Sequence, residues 1–245
     1  MKRIKCIIAY DGTNFQGYQS QPDKRTVQGE IEKVLKRLHK GRDIPIYASG
    51  RTDARVHAMG QVIHFDSDIP MEEERWVYAL NSLLPEDISV REATWVDPDF
   101  HARFSCIGKQ YRYRVDRRKI KNPFLRNYAY HYTYPLNMDE LRRAMAYLVG
   151  THDFTSFCSA KTEVEDKVRT VTLFDVEEHD EELIFRIAGN GFLYNMVRII
   201  IGTVLEVGAG KRTAEEIPEI LKAKDRTRAG KTVPGHGLYL WEVYY

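Results

Sequence analysis

The chain has 245 residues, of which 43% are hydrophobic and 29% charged, and its 37 basic and 35 acidic side chains give a net charge of +2. This length is sufficient for one large domain or two small ones, and the composition is that of an ordinary soluble protein. The sequence excludes a membrane-spanning segment, because no stretch approaches the roughly 20 apolar residues required. The small net charge does not by itself indicate a nucleic-acid-binding protein.

The first residues and the cysteines predict a reducing compartment. The apolar segment 6–10 meets Asp11 too early for a secretory signal peptide. Cys6, Cys106 and Cys158 lie far apart, and their odd number and spacing predict neither a disulfide framework nor a metal site. We therefore expect a cytoplasmic protein.

The first half predicts the ferredoxin-like order β-α-β-β-α-β. Alternation and helical spacing of apolar residues indicate these elements. They are a strand at 3–10, a helix from the cap Thr26 to Gly41, strands at 44–48 and 61–65, a helix at 72–83 and a strand at 88–96.

The second half predicts the same order. Its elements are a strand at 106–116, a helix at 138–149 capped by Asn137 with Glu140 in the capping-box position, a hairpin of 169–177 and 183–188, an apolar helix at 192–207, a helix opened by Thr213 with Glu216 three residues later, and a strand at 238–243. We therefore predict an α+β protein of two ferredoxin-like halves, packed around a central antiparallel sheet with a cleft between them. The predicted domains are 1–104 and 105–245, joined through 97–105.

A polar loop at 49–61 contains the strongest candidate for catalysis. Arg51 and Arg55 flank Asp53 at two residues on either side, and neighbouring positive charge keeps a carboxylate ionised, as a nucleophile requires. Gly50 and Gly60 bracket the loop and permit unusual backbone angles. The alternative is a solvated turn in which Asp53 accepts local backbone hydrogen bonds.

Arg198 is the second candidate, because its helix is apolar almost all round. A buried guanidinium requires a carboxylate partner, since an unpaired buried charge costs about 3–5 kcal/mol. Asn195, Arg198 and Gly202 share one stripe of this helix. The partner is either Asp53, across a cleft, or a structural acid such as Asp153.

Basic residues concentrate between Arg103 and Arg126, a segment that contains nine of them and a single acid, Asp116. Tyr111 and Tyr113 alternate with Arg112 and Arg114 along the predicted strand, so rings and guanidinium groups lie on opposite faces. Aromatic rings among basic side chains provide stacking surfaces and neutralise phosphates, which favours binding of looped or single-stranded RNA. The alternatives are a solvated charged hairpin and tyrosines that pack in the core.

The sequence predicts neither a metal site nor a nucleotide cofactor. The eight histidines form no His-x-x-x-His pair or mixed cluster with cysteine. The glycines match neither GxGxxG nor GxxxxGK[ST].

Several blocks resemble the TruA family of tRNA pseudouridine synthases, and they cover nearly the whole chain. The strongest is Gly50-Arg51-Thr52-Asp53-Ala54 with Val56-His57-Ala58 and Gly60-Gln61-Val62-Ile63-His64-Phe65. The others are Tyr10-Asp11-Gly12-Thr13, Phe15-Gln16-Gly17-Tyr18-Gln19, Phe100-His101-Ala102-Arg103-Phe104-Ser105, Lys109-Gln110-Tyr111-Arg112-Tyr113, His152-Asp153-Phe154-Thr155-Ser156-Phe157, Asn195-Met196-Val197-Arg198 and Gly237-Leu238-Tyr239-Leu240.

The resemblance implies a cofactor-independent isomerase that converts uridines 38 to 40 of the tRNA anticodon arm into pseudouridine, generally as a homodimer. It implies Asp53 as the nucleophile, Arg198 as the group that orients it, and Tyr111 as the ring that stacks on the target base. Arg51 would fill the gap left by the flipped nucleotide or contact phosphate. Arg55, Arg114 and Leu238 complete the expected substrate-binding residues.

One position departs from the resemblance, because the family usually has glycine where this chain has Arg55. Glycine there implies either a left-handed backbone or a close approach by RNA. Two other functions therefore remain open. One is a non-catalytic RNA-binding module whose site is impaired by Arg55, and the other is a hydrolase that uses Asp53 and His57.

Overall fold

The computed structural model describes residues 1–160, 162 and 164–245. The chain forms two compact units, of which the first comprises Met1–Ile107 with Tyr239–Tyr245 and the second Gly108–Leu238. Both units contain helices and strands, so the predicted α+β class is confirmed. Among the residues described, no helix has both the length and the apolar character needed to cross a membrane.

The first unit has the predicted β-α-β-β-α-β order. Its elements are β1 (Lys2–Tyr10), α1 (Val27–Leu38), β2 (Tyr47–Ala48), β3 (His57–Ser67), α2 (Glu73–Asn81) and β4 (Ile88–Val96). Strand β1 pairs antiparallel with β4 on one side and β3 on the other, and β2 also pairs with β3. The strand predicted at 44–48 is limited to β2, whereas the one predicted at 61–65 begins four residues earlier.

Apolar spacing and a capped helix end explain why α1 forms on this sheet. The Thr26 hydroxyl accepts a hydrogen bond from the Gly29 amide at 3.2 Å, as predicted for the cap. Val27, Ile31 and Leu35 of α1 are each no more than 1% exposed. These side chains recur on one face, so α1 buries that face in the core of the first unit.

The second unit is also built on a sheet. Its elements are β5 (Gly108–Asp116), β6 (Tyr130–His131), α3 (Met138–Ala146), β7 (Gly150–Asp153), β8 (Val168–His179), β9 (Glu182–Gly189), α4 (Met196–Gly208) and α5 (Glu216–Ala223). The antiparallel order is β5-β9-β8-β7, and β6 runs parallel to β5. Strands β6 and β7 were not predicted, because two and four residues are too few to show an alternating pattern.

The last strand, β10 (Leu238–Tyr244), pairs in parallel with β3, with Tyr239 opposite His57 and Leu240 opposite Ala58. This pairing explains why Tyr239–Tyr245 belongs to the first unit, whereas the sequence grouped it with 105–245. The other boundary lies at Ile107 instead of residue 104, because the Ile107 amide donates to the Tyr244 carbonyl.

The ends of two helices differ from the prediction. Asn137 does cap α3, because its side chain accepts from the amides of Asp139 and Glu140. The predicted capping box is wrong, however, since the Asn137 amide donates to the Gly208 carbonyl at 2.7 Å and the Glu140 carboxylate pairs with Arg143. Helix α4 begins at Met196, four residues later than predicted, after Asn195 adopts a left-handed φ of 62°.

Candidate active site

The loop that carries Asp53 is fixed at its first arm by a buried glutamine. Gln61 of β3 accepts a hydrogen bond from the Ser49 hydroxyl at 2.7 Å and donates one to the Gly50 carbonyl at 2.8 Å. The Ser49 amide also donates to the Val62 carbonyl at 2.8 Å. These bonds hold the entry to the loop in one conformation.

The other arm packs against the segment that follows β1. The Tyr18 amide donates to the Thr52 carbonyl at 3.0 Å, and the Arg55 amide donates to the Phe15 carbonyl at 3.4 Å. The Val56 amide donates to the carbonyl of Asp53 at 3.2 Å and closes the turn. The loop is therefore an ordered structure that presents the half-buried Asp53 side chain at its turn.

Two glycines permit this close approach. A Cβ atom at Gly12 would lie 2.1 Å from the Val56 carbonyl oxygen, which is far inside van der Waals contact. Gly17 has a φ of +103°, and a Cβ there would lie 3.0 Å from the Thr52 carbonyl oxygen. The segment 12–18 therefore supports the Asp53 loop only because these positions lack side chains.

His57 supports the same loop from below. Its ring is 2% exposed, its Nδ1 accepts the Gly12 amide at 3.0 Å, and it stacks on Tyr239 with centroids 4.6 Å apart. Because Nδ1 accepts this bond, it does not donate a hydrogen bond to the Asp11 carboxylate, which lies 3.2 Å away. The Asp11 carboxylate instead accepts from the Thr13 amide. The sequence singled out His57 only as a base for a hydrolase, and a buried ring that accepts a backbone amide argues against that role.

The two arginines beside Asp53 are both exposed. Arg55 has a φ of 64°, so the left-handed backbone, one of the two explanations offered for the usual glycine, is present. A non-glycine residue in this conformation costs about 1 kcal/mol, and the hydrogen bond from its amide to Phe15 helps to hold it there.

In the second unit, two tyrosines of β5 differ in their surroundings. Tyr113 is 1% exposed, and its hydroxyl donates to the Pro234 carbonyl at 2.9 Å, so it is a core residue as expected. Burial raises the pKa of Tyr113 well above its usual value. Tyr111 is 9% exposed, and its ring meets that of Phe192 edge-on, with centroids 5.2 Å apart and an interplanar angle of 86°.

Arg198 lies in the first turn of α4, where backbone and side-chain oxygens position its guanidinium. Its Nε donates to the Val233 carbonyl at 2.7 Å, and its Nη1 donates to the Asn195 side-chain oxygen at 2.8 Å. Asp153 is not its partner, because that carboxylate binds the Lys224 ammonium at 2.8 Å and accepts from Thr155. Asp153, the acid named as a structural partner for Arg198, is therefore engaged elsewhere.

In the basic segment, some cations form hydrogen bonds or ion pairs within the protein and others are exposed. Arg114 binds both carboxylate oxygens of Glu182, and Arg117 donates to the carbonyls of Tyr132 and Tyr134. Lys119, Lys121 and Arg126 are exposed. The sequence analysis missed Glu182 because it lies on the neighbouring strand β9, 68 residues away.

The remaining predicted site residue, Leu238, is 6% exposed at the start of β10. Within the described part of the chain, no three His, Cys, Asp or Glu side chains group in a way that could hold a metal ion.

Comparison with known proteins assigns the family. A family model described as tRNA pseudouridine synthase matches residues 6–105 and 144–245. The tRNA pseudouridine synthase A of Anoxybacillus flavithermus (strain DSM 21510 / WK1) is 63% identical over 245 residues, which cover 100% of this chain and 99% of that protein. That of Bacillus subtilis (strain 168) is 59% identical over 244 residues, with 99% of each covered.

Among solved structures, a chain of a Cbf5-Nop10-Gar1 complex aligns with a TM-score of 0.36 and 13% identity, over 82% of this chain and 54% of that one. The family is decided by the full-length sequence relatives and the family model. The chain therefore belongs to the tRNA pseudouridine synthases and is an isomerase.

Proposed function

We propose that this enzyme isomerises uridine to pseudouridine at positions 38 to 40 of the tRNA anticodon arm, with Asp53 as the nucleophile and no external cofactor. The observation that carries the proposal is the Asp53 loop, which is ordered at both arms and presents a half-buried carboxylate at its turn. The overall reaction exchanges the N1 to C1′ bond of uridine for a C5 to C1′ bond. The hydrogen on C5 leaves as a proton and N1 gains one, so no oxidant or other reactant is needed.

A nucleophilic aspartate must be ionised, and neighbouring cations favour that form. We assign this role to Arg51 and Arg198. The bonds from Arg198 to Val233 and Asn195 go to neutral oxygens, so they fix the direction of the guanidinium without neutralising its charge. Such a preorganised cation stabilises charge that develops during the reaction.

We assign base stacking to Tyr111. Its mostly buried ring and the edge-on Phe192 restrict its orientation, and a restricted aromatic ring holds a flipped base without reading its sequence. Leu238 supplies an apolar contact beside the base. Arg51, Arg55 and Arg114 are proposed to contact the RNA, although Arg114 must then share its charge with Glu182.

Tyr111 variants test the stacking role. Tyr111→Phe keeps the ring and is expected to bind and isomerise RNA nearly normally, whereas Tyr111→Ala loses about 1–3 kcal/mol of base holding. Single-turnover kinetics with an anticodon arm measure this loss. Tyr78→Ala, at a tyrosine that is 76% exposed on α2, provides the control. Equal and negligible effects of both Tyr111 changes would show that Tyr111 does not stack on the base.

Arg55 variants separate backbone strain from charge. We expect the natural enzyme to be active, because the Arg55 side chain is exposed and the loop retains its hydrogen bonds. Arg55→Gly relieves about 1 kcal/mol of left-handed strain, while Arg55→Ala keeps the strain and removes the charge. Both should weaken tRNA binding by a similar few-fold if the guanidinium contacts phosphate. An inactive natural enzyme and an active Arg55→Gly variant would instead support the non-catalytic RNA-binding module.

We also propose a homodimer that binds tRNA, as the family resemblance implies, and a cytoplasmic location, as the cysteines indicate. Its most specific part, the target positions, is tested with anticodon arms that carry a single uridine at position 38, 39 or 40. We expect pseudouridine in each of the three, and none in an arm whose single uridine lies at another position. Conversion at other positions alone would contradict the assignment.

A further inference from the structure

A separate cavity of about 250 Å³ lies in the second unit, at the end of β5 that is remote from Tyr111. We call it the β5 pocket. Its polar lining residues include Asp116, Lys121, Arg126, Tyr130, His131 and His236. Lys121 and Arg126 belong to the basic segment described above, and the other residues have been assigned no function.

The β5 pocket carries an excess of positive charge. Its one carboxylate, on Asp116, is almost fully buried and binds Arg118, whose Nη1 lies 2.9 Å away and whose Nε also binds Glu181 at 2.7 Å. Lys121 and Arg126 are exposed cations, and the Arg126 Nη1 donates to the Pro123 carbonyl, a neutral oxygen. The rim of the pocket therefore contains two exposed basic side chains.

The wall of the pocket is ordered by the sheet. Tyr130 and His131 form β6, which pairs with Val115 and Asp116 at the end of β5. The His131 Nε2 lies 2.8 Å from the Arg118 carbonyl, to which it must donate because a carbonyl only accepts. The Lys231 ammonium lies 2.9 Å from the Tyr130 hydroxyl and adds a further cation next to the pocket.

These properties fit a phosphate with part of its ribose better than a neutral small molecule. The volume is below the roughly 300–1,000 Å³ of ordinary small-molecule sites. Lysine and arginine at a rim, with hydroxyl and imidazole groups beside them, are the donors that bind phosphate oxygens.

The position of the pocket on β5 indicates which phosphate it would take. Asp116 points to the face of β5 opposite to Tyr111, but the lining residue Pro234 accepts from the hydroxyl of Tyr113, which shares the face of Tyr111. From Tyr111 to Asp116 the strand advances about 17 Å at 3.3–3.4 Å per residue. This distance corresponds to about five stacked nucleotides at 3.4 Å each. We propose that the β5 pocket binds one backbone phosphate of the substrate RNA, a few nucleotides from the uridine held at Tyr111; this inference rests on the proposed function.

The test removes positive charge from the pocket and negative charge from single phosphates of the RNA, first separately and then together. The pocket variant is Lys121→Gln with Arg126→Gln, and its matched control is Arg37→Gln with Lys40→Gln, an exposed pair on and just after α1 with the same change of charge. Single phosphates of an anticodon arm are replaced one at a time by uncharged methylphosphonates. Affinity for each RNA is measured at fixed salt with the full-length natural protein and both variants.

We expect one methylphosphonate position, a few nucleotides from the target, to weaken binding to the natural protein and the control about tenfold. The same replacement should have no further effect on the pocket variant, because its contact is already lost. The pocket variant should also lower the slope of log affinity against log salt by about 0.7–0.9 for that one phosphate. Additive effects at every position would overturn the inference.

Two measurements identify the reason for a failure. If the natural protein binds RNA but does not isomerise it, the proposed function fails. If it isomerises RNA and the pocket variant is additive with every methylphosphonate, only the pocket inference is wrong. Competition by inorganic phosphate or uridine monophosphate, lost in the pocket variant without coupling to any RNA phosphate, would assign the pocket to a free ligand and would also overturn the inference. Thermal unfolding of both variants verifies that they are folded.

Discussion

Asp53→Asn is expected to abolish isomerisation while affinity for tRNA changes no more than a few-fold. The amide is nearly the same size as the carboxylate, so the loop held by Gln61 and Tyr18 should keep its shape, but the amide is not a competent nucleophile. Binding persists because phosphate contacts elsewhere provide most of the affinity. Single-turnover formation of pseudouridine and equilibrium tRNA binding measure the two effects.

Asp43→Asn is the matched control, since Asp43 is an exposed acid of the same unit, with a side chain that is 86% exposed. It should leave the rate unchanged. Substantial turnover by Asp53→Asn would move the chemistry to another residue, and a large loss of tRNA affinity would assign Asp53 to binding instead.

Gly12→Ala is expected to lower kcat/KM about a hundredfold, although residue 12 is not proposed to contact RNA. The added methyl carbon would meet the Val56 carbonyl oxygen at 2.1 Å, and backbone cannot rotate away as a side chain does. The Asp53 loop or the segment 12–18 must therefore move. A displacement of about 1 Å of a reacting group commonly costs about a hundredfold in rate.

Gly41→Ala separates this effect from loss of stability. Gly41 has a φ of +94° with no atom within 4 Å of an added Cβ, so alanine there introduces strain without a collision. Both variants should melt at lower temperature, but only Gly12→Ala should lose activity at a temperature where both are folded. Normal activity of folded Gly12→Ala would show that the packing of segment 12–18 does not position Asp53.

The sequence was sufficient for features that depend on local patterns. Strand β4 lies at the predicted residues 88–96, and Thr26 caps α1, because alternation and capping chemistry act over a few neighbouring residues. The left-handed backbone at Arg55 was one of the two alternatives that the glycine usual in the family implied.

The sequence was insufficient where distant segments meet. The pairing of β10 with β3 brings Tyr239 onto His57, and no local pattern links residues so far apart. Likewise, two partners of Arg198 are a backbone carbonyl and an amide oxygen, whereas the sequence analysis considered only carboxylates. The buried guanidinium does require polar contacts, and neutral oxygens provide part of them.

The central claim is that this chain exchanges a carbon–nitrogen bond of uridine for a carbon–carbon bond, and release of tritium tests it most directly. The natural enzyme is incubated with an anticodon arm labelled with tritium at C5 of the uridines at positions 38 to 40. The account predicts release of the label to water in proportion to pseudouridine formed, and none with Asp53→Asn. Retention of the label by an arm that the natural enzyme binds tightly would contradict it.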